Sequence, residues 1–93
     1  MQPVFEALAH PIRRRILQLL RKRAMSAGEL SEEFDIAKPT LSGHFAVLKA
    51  ADLVTTERQG TTIIYRLNLS VMEEALAAMM EIAGVKGKKE TLR

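Results

Sequence analysis

The segment from Ala27 to Leu67 is the part of this chain that most restricts its fold. It opens with a short amphipathic helical pattern, passes through a tight turn into a second helical pattern beginning at Lys38-Pro39-Thr40, and ends in two β-rich runs around Gln59-Gly60. Helix, turn, helix and hairpin, in that order and at those lengths, describe a winged helix-turn-helix. The second helix of such a unit is shaped to enter the major groove of DNA. We therefore expect a mostly α-helical fold with a small β-hairpin wing.

Proline and capping signals set the helix boundaries. Pro11 should separate the first two helices, because the residue before a proline is disfavoured in the α region and proline itself suits a first helical turn. Ser26 followed three residues later by Glu29 matches a capping box and should start the third helix. Ser70 and Glu73 repeat that spacing and are expected to start the last helix in the same way.

The apolar periodicity gives the order α-α-α-α-β-β-α. We predict helices over residues 3–9, 11–23, 26 to a turn at 35–36, 38–51 and 70–83, and strands over 53–58 and 61–67. The third helix should bury Leu30 and Phe34. In the fourth, Leu41, Phe45 and Leu48 recur at spacings of four and three and so share one face. The opposite face of the fourth helix is then left for a partner.

Composition narrows the class of protein. The 93 residues suffice for one domain, predicted over 1–85, followed by a basic flexible tail over 86–93. The net charge is only +3, with 14 basic and 11 acidic residues, so a DNA-binding face must come from the placement of charge. There is no cysteine, which excludes disulfides and a thiolate metal site. With no membrane-length apolar run and no signal-peptide pattern, we expect a cytoplasmic protein without membrane contact.

At this level of detail the chain resembles the ArsR/SmtB family of small bacterial repressors. His10-Pro11-Ile12-Arg13, which leads into an Ile-Leu pair, is similar to the family's N-terminal signature. The run from Lys38 to Phe45 is similar to its recognition helix, and the segment 51–54 precedes the wing as in the family, with Asp52 at a position where the family often has glycine. The resemblance extends from residue 3 to about residue 83.

This resemblance implies a homodimer joined through the first and last helices, which represses transcription by occupying an operator. A two-fold dimer would place the two recognition helices about one DNA turn apart, roughly 34 Å. The apolar residues of the first and last helices also exceed what so small a core can bury. The predicted dimer contacts are Val4, Phe5, Leu8, Val71, Met72, Leu76, Met79 and Met80.

Many members of the family sense metals, and this chain departs from their patterns. The cysteine-rich box of the third helix is replaced by residues 28–33, and no histidine follows His44. The closest resemblance is to the metal-independent branch of sporulation-delay-type autorepressors, which implies no cofactor. Met72, Met79 and Met80 offer soft ligands for copper(I) as an alternative, although methionines on an apolar helix face usually serve packing. A ligand- or metal-responsive sensor of the same fold therefore remains an open alternative.

The predicted DNA contacts lie on the fourth helix and on the wing. Backbone and base-edge contacts require small polar and basic side chains with room for close approach. The predicted residues are Lys38, Pro39, Thr40, Ser42, Gly43 and His44 of the helix, and Arg58, Gln59 and Thr61 of the wing. Two of them have alternative roles: His44 could satisfy a local backbone group, and Arg58 could pair with Glu57.

The remaining polar residues indicate structural roles. Arg13 is expected to pair with a carboxylate such as Glu6 or Glu33, and His10 to cap a helix or accept a hydrogen bond. No phosphate-binding loop and no arrangement of catalytic residues is present, so we predict no enzymatic activity. A winged helix that binds another protein remains an alternative, because a fold alone does not determine function.

Overall fold

The computed structural model describes residues 1–85, and the predicted basic tail over 86–93 lies outside the described residues. The mostly helical fold with a β-hairpin wing is confirmed. Apart from the end of the third helix, the predicted bounds agree with the structure to within one residue. In chain order the elements are α1 (Gln2–Leu8), α2 (Pro11–Lys22), β1 (Met25–Ser26), α3 (Ala27–Ser31), α4 (Lys38–Ala50), β2 (Val54–Gln59), β3 (Thr62–Leu67) and α5 (Leu69–Ala83).

The sheet has one strand more than the sequence predicted. Its order is β1-β3-β2 and both pairings are antiparallel, with Met25 opposite Tyr65 and Ser26 opposite Ile64 in the added pair. Two residues are too few to show the alternation by which a strand is recognised. The short β1 strand covers one edge of the hairpin and joins α2 to the wing side of the core.

One apolar core lies between α2, α4 and the hairpin. Ile16 and Leu20 come from α2 and Leu48 from α4, and each is almost fully buried together with Leu30 and Leu53. Burying a side chain of this size contributes about 1.5–3 kcal/mol relative to leaving it exposed. The core therefore holds α4 against α2 and β2 through one face only.

The third helix begins as predicted but ends earlier. Ser26 Oγ accepts a hydrogen bond from the Glu29 amide at 3.0 Å, and the Glu29 carboxylate accepts one from the Ser26 amide at 2.9 Å, which completes the capping box. The chain leaves the helix after Ser31, where the Phe34 amide bonds the Ser31 carbonyl three residues back. Phe34 packs against the core, but from the turn rather than from the helix.

The prediction that Ser70 caps the last helix was wrong. Asn68 is the N-cap and α5 begins at Leu69, so Ser70 lies inside the first turn. The Asn68 amide donates to the Leu53 carbonyl at 2.9 Å, which fixes the passage from β3 into the helix. The Asn68 side chain forms no capping hydrogen bond at this end of α5.

Both α4 and α5 end in Schellman motifs. After α4 the Leu53 amide bonds the Leu48 carbonyl and the Asp52 amide bonds the Lys49 carbonyl, at 3.1 and 3.0 Å. Asp52 has a φ of 61°, in the left-handed region that favours glycine. The equivalent position after α5 is occupied by Gly84, with a φ of 76°. Asp52 is therefore a strained residue at a site suited to glycine.

We predict that Asp52→Gly stabilises the protein. Glycine adopts positive φ without steric cost, so the free energy of unfolding should rise by up to about 1 kcal/mol despite the greater freedom of the unfolded chain. Asp52→Ala is the matched control and should lower the stability, because alanine tolerates this conformation less well than aspartate. Urea unfolding of the wild type and both variants would measure the order of their stabilities. A glycine variant no more stable than the wild type would contradict the conclusion that Asp52 is strained.

Candidate DNA-binding surface

The burial of one side of α4 leaves its other side free. Leu41, Phe45 and Leu48 are buried in the core, as the periodicity predicted, and the Phe45 ring lies 4.8 Å from that of Tyr65. The predicted helix contacts Lys38, Pro39, Thr40, Ser42 and Gly43 are all exposed. The N-terminal half of α4 thus presents small and polar side chains to solvent.

The N-terminus of α4 keeps free hydrogen-bond donors. Its N-cap residue, Ala37, has extended backbone and offers no side-chain hydrogen bond. Within residues 1–85 the Lys38 and Thr40 amides have no protein acceptor, and Pro39 between them has no amide hydrogen. Unpaired amides at a helix N-terminus carry partial positive charge and bind anions such as phosphate.

Gly43 lies in the middle of α4, on its open side. A Cβ built there would meet no atom within 4 Å. Nothing within the folded chain therefore requires glycine at this position, although glycine in a helix interior costs about 0.5–1 kcal/mol relative to alanine. The absence of a side chain at Gly43 leaves room for a partner to approach the backbone of α4 closely.

His44 differs from the other predicted contacts because it is half-buried among basic groups. Its Nδ1 lies 3.1 Å from a guanidinium nitrogen of Arg13, and its ring centroid lies 4.4 Å from that of His10. Burial, followed by the charges of His10 and Arg13, lowers the pKa of His44 below its ordinary value. The imidazole is therefore neutral at physiological pH, and its partner is a side chain of α2 rather than the local backbone group considered above.

The arginine run at the start of α2 is structural, but its partners differ from the prediction. Arg13 donates to the backbone carbonyls of Ala7 at 2.7 Å and Glu6 at 3.0 Å, rather than to a carboxylate. Arg14 donates to the Leu8 carbonyl at 2.7 Å. Glu33, the other carboxylate expected to pair with Arg13, instead lies 3.9 Å from Arg15. The Glu6 carbonyl also accepts a hydrogen bond from the Ala9 amide at 3.1 Å, and the two guanidinium groups supply hydrogen bonds to the Ala7 and Leu8 carbonyls at the C-terminal end of α1.

His10 acts as predicted. Its Nδ1 accepts a hydrogen bond from the Ile12 amide at 3.1 Å and so caps α2. The histidine thereby satisfies one amide of the first turn while its ring packs against His44.

In the wing, Glu57 pairs with Arg66 rather than with Arg58. Glu57 accepts a hydrogen bond from Arg66 at 2.9 Å across the two strands, and this bond holds the pKa of Glu57 below its ordinary value. Within the part of the chain that the structure describes, Arg58 forms no ion pair, so the alternative pairing with Glu57 was wrong. Arg58 is exposed, and its charge is available to a partner.

The hairpin loop is displaced by one residue from the predicted Gln59-Gly60. Gln59 pairs with Thr62, which leaves Gly60 and Thr61 as the loop. Gly60 has a φ of 65°, as a tight hairpin turn requires. Gln59 and Thr61 are exposed at the tip of the wing.

The residues predicted for the dimer contact fall into two groups. Val4 is only 6% exposed, and Phe5, Leu8, Val71 and Met72 pack partly buried against the core of the protomer. These side chains already pack in or against the protomer's own core, and Val4 in particular offers little surface to a second copy. The outer part of the prediction, Leu76, Met79 and Met80, lies further along α5, where Leu76 and Met79 are exposed and Met80 is half-buried.

The second half of α5 extends beyond the core. Ala75 is buried at 1% exposure, whereas Ile82, two helical turns later on the same side, is 78% exposed. Leu69 and Val85 are also exposed. The periodicity had not singled out Ile82, because it cannot show where a neighbouring core ends.

Neither a cluster of metal ligands nor a membrane-spanning helix occurs within residues 1–85. No three side chains of histidine, cysteine, aspartate or glutamate come together there as metal ligands would. None of the helices in that range combines the length and the apolar character that crossing a membrane requires.

Comparison with known proteins identifies related chains. A family model described as a helix-turn-helix domain matches residues 8–57. The transcriptional repressor SdpR of Bacillus subtilis is 40% identical over 80 residues, which cover 86% of this chain and 89% of the repressor. NolR from Sinorhizobium fredii superposes with a TM-score of 0.70 at 36% identity, covering 91% of this chain and 85% of NolR. An ArsR-like transcriptional regulator from Rhodococcus superposes with a TM-score of 0.76 at 28% identity, covering 89% of this chain and 77% of the regulator.

The lowered pKa of His44 predicts that acid destabilises the fold. The unfolded chain binds a proton at His44 near the ordinary value of 6.5, whereas the folded chain resists protonation. The stability contribution is therefore fully present above pH 6.5 and is lost as the pH falls from there towards the lowered pKa. Urea unfolding at about pH 7.5 and about pH 5.5 would measure this loss.

His44→Asn is the matched control for this pH dependence. The asparagine oxygen can accept the Arg13 hydrogen bond but does not titrate, so the decline in stability between the two pH values should be smaller. An equal decline in both proteins would assign the acid sensitivity to another group.

Proposed function

Because the chain belongs to the ArsR family of helix-turn-helix transcriptional regulators, we propose that it is a homodimeric repressor that binds a short inverted-repeat operator through α4 and the wing. The observation that carries this proposal is the exposed N-terminal half of α4, which is held by an apolar core on its other side. Members of the family are DNA-binding regulators rather than enzymes.

The α4 surface suits the major groove in both size and chemistry. Thr40 and Ser42 are exposed hydroxyls that can donate to or accept from base edges and phosphates. Lys38 supplies a positive charge beside the free amides of the helix N-terminus. Val47, exposed on the same side, offers an apolar contact of the kind that recognises a thymine methyl group. These features support base readout by α4 together with phosphate contacts at its N-terminus.

The wing supplies a second, flanking contact. Arg58 carries a charge that no side chain of residues 1–85 neutralises, and Gln59 and Thr61 extend the polar surface to the hairpin tip. Arginine on such an extension commonly enters the minor groove or binds phosphate. We assign Arg58 a positioning contact, which adds affinity without reading sequence in the major groove.

The exposed part of α5 supports the homodimer. Apolar surface is uncovered along more than one turn of α5, where the helix extends beyond the core of the protomer. The exposed side chains are Leu76, Met79 and Ile82. A second copy related by a two-fold axis would cover this surface with the same residues of its own α5. We propose these three side chains as the centre of the contact, with Phe5 and Leu8 at its edge.

We further propose that the protein acts without a metal sensor and on its own promoter. The first proposal is supported by the chain's lack of cysteine and by the absence of a ligand cluster within residues 1–85. The second follows the autorepressor branch that the sequence resembles.

Binding to DNA from upstream of the protein's own gene tests the proposal, with scrambled DNA of equal length as competitor. We expect a preference of about 10³ or more at physiological salt, with one dimer per site.

Lys38→Ala should weaken binding, with little change in folding. The slope of log affinity against log salt concentration should become shallower by about one, because one phosphate contact is lost. Lys49→Ala, at the other end of α4, is the matched control and should bind nearly as wild type. Loss of affinity in both variants alike would contradict the assignment of Lys38.

Gly43→Ala should change the stability of the free protein and its affinity for DNA in opposite directions. Alanine has room in the free protein and favours the helix, so the free energy of unfolding should rise by about 0.5–1 kcal/mol. If DNA backbone or base edges pack against Gly43, the added methyl group should lower operator affinity in the same variant. Thermal unfolding and DNA titration would measure the two effects, and a variant with unchanged affinity would place the DNA away from Gly43.

A further inference from the structure

We propose that His10 and Arg13 are positioning residues for DNA recognition: Arg13 holds the proton of His44 on Nε2 and His10 restricts the ring, so that α4 presents a fixed hydrogen-bond donor to an acceptor on the DNA. This inference rests on the DNA binding proposed above and assigns a chemical role to one of its contacts. The three side chains come from the α1–α2 junction, from α2 and from α4.

The hydrogen bond from Arg13 determines which nitrogen of His44 carries the proton. A guanidinium group has only donors, so the His44 Nδ1 atom, 3.1 Å away, must accept. A neutral imidazole that accepts at Nδ1 carries its hydrogen on Nε2. Arg13 thereby converts a ring with two possible tautomers into one with a defined donor.

Arg13 can impose this choice because its guanidinium is itself held in place. Its Nε donates to the Ala7 carbonyl at 2.7 Å, and one terminal nitrogen donates to the Glu6 carbonyl at 3.0 Å. The other terminal nitrogen faces His44. With three nitrogens engaged on three acceptors, the planar group cannot rotate without breaking hydrogen bonds to α1.

The ring of His10 packs against the His44 ring and restricts its position. The two ring centroids are 4.4 Å apart with planes tilted by 49°. The His10 Nδ1 atom is occupied by the Ile12 amide, so the position of its ring is fixed by the helix cap. Burial and the neighbouring basic groups lower the pKa of His44, which maintains the neutral form that the Arg13 hydrogen bond requires.

The Nε2 atom of His44 is left for an external acceptor. It has no hydrogen-bond partner among residues 1–85, yet no buried side-chain nitrogen or oxygen in that range lacks a partner. The atom is therefore accessible to solvent, on a residue that directly follows the exposed Gly43 of the face proposed to meet DNA. Guanine N7 and O6 and the phosphate oxygens are acceptors that such a donor fits.

Nitrogen NMR of the free protein with labelled histidine tests the positioning directly. We expect the His44 signals to show an unprotonated Nδ1 and a protonated Nε2, and Arg13→Lys to yield a mixture of the two tautomers because lysine lacks the fixed fork. A protonated Nδ1 in the wild-type protein would overturn the proposal. Neither result depends on DNA.

Two variants of His44 test the use of this donor on operator DNA. Asparagine places its oxygen near the Nδ1 position and can keep the Arg13 hydrogen bond, whereas glutamine can place an amide donor near the Nε2 position. We expect His44→Asn to stay folded and lose about tenfold or more in operator affinity, and His44→Gln to recover most of that loss.

Circular dichroism would establish that both His44 variants are folded at the titration temperature. Wild-type affinity in His44→Asn would overturn the donor role. Failure of the wild-type protein to prefer any promoter fragment would instead overturn the proposed function, and with it the DNA contact of His44, while the tautomer result would still stand.

Discussion

The burial of Leu41, Phe45 and Leu48 along one face of α4 is the constraint on which the rest of the structure depends. Because these three side chains enter a single core with α2 and the hairpin, the helix cannot rotate about its axis without exposing them. The outward face is then fixed in direction, and its small polar residues lie together. A surface built in this way needs few interactions of its own, since its geometry is set by packing on the other side.

A second constraint joins α1 to this core through hydrogen bonds. A helix of seven residues is too short to be stable alone, and the Ala7 and Leu8 carbonyls at its C-terminal end lack amide partners within it. The guanidinium groups of Arg13 and Arg14 supply those partners, and Arg13 reaches onward to His44 of α4. The N-terminal helix and the proposed recognition helix are thus connected by one side chain, which contacts both the proposed dimer region and the proposed DNA-binding surface.

Local signals in the sequence predicted most of the elements, and tertiary contacts explain the differences. The capping box at Ser26 and the apolar spacing of α4 are properties of neighbouring residues, so they could be read directly. The Ser70 signal has the same spacing, yet α5 begins one residue earlier, directly after Asn68, whose amide donates to the Leu53 carbonyl; a spacing rule does not include such a tertiary contact. The two-residue β1 strand likewise exists only because β3 lies beside it.

The sequence alone determined the order of the helices and of the two hairpin strands, the buried face of α4 and the small polar character of its open face, because each is set by periodicity or composition over a few residues. Only the tertiary structure decided that Val4 belongs to the core, that Ile82 lies beyond it, and that Arg13 bonds α1 carbonyls and His44. These outcomes depend on contacts between distant segments, such as the hydrogen bond between Arg13 and His44, which are 31 positions apart. No local pattern records them, because the packing of whole elements determines which distant side chains meet.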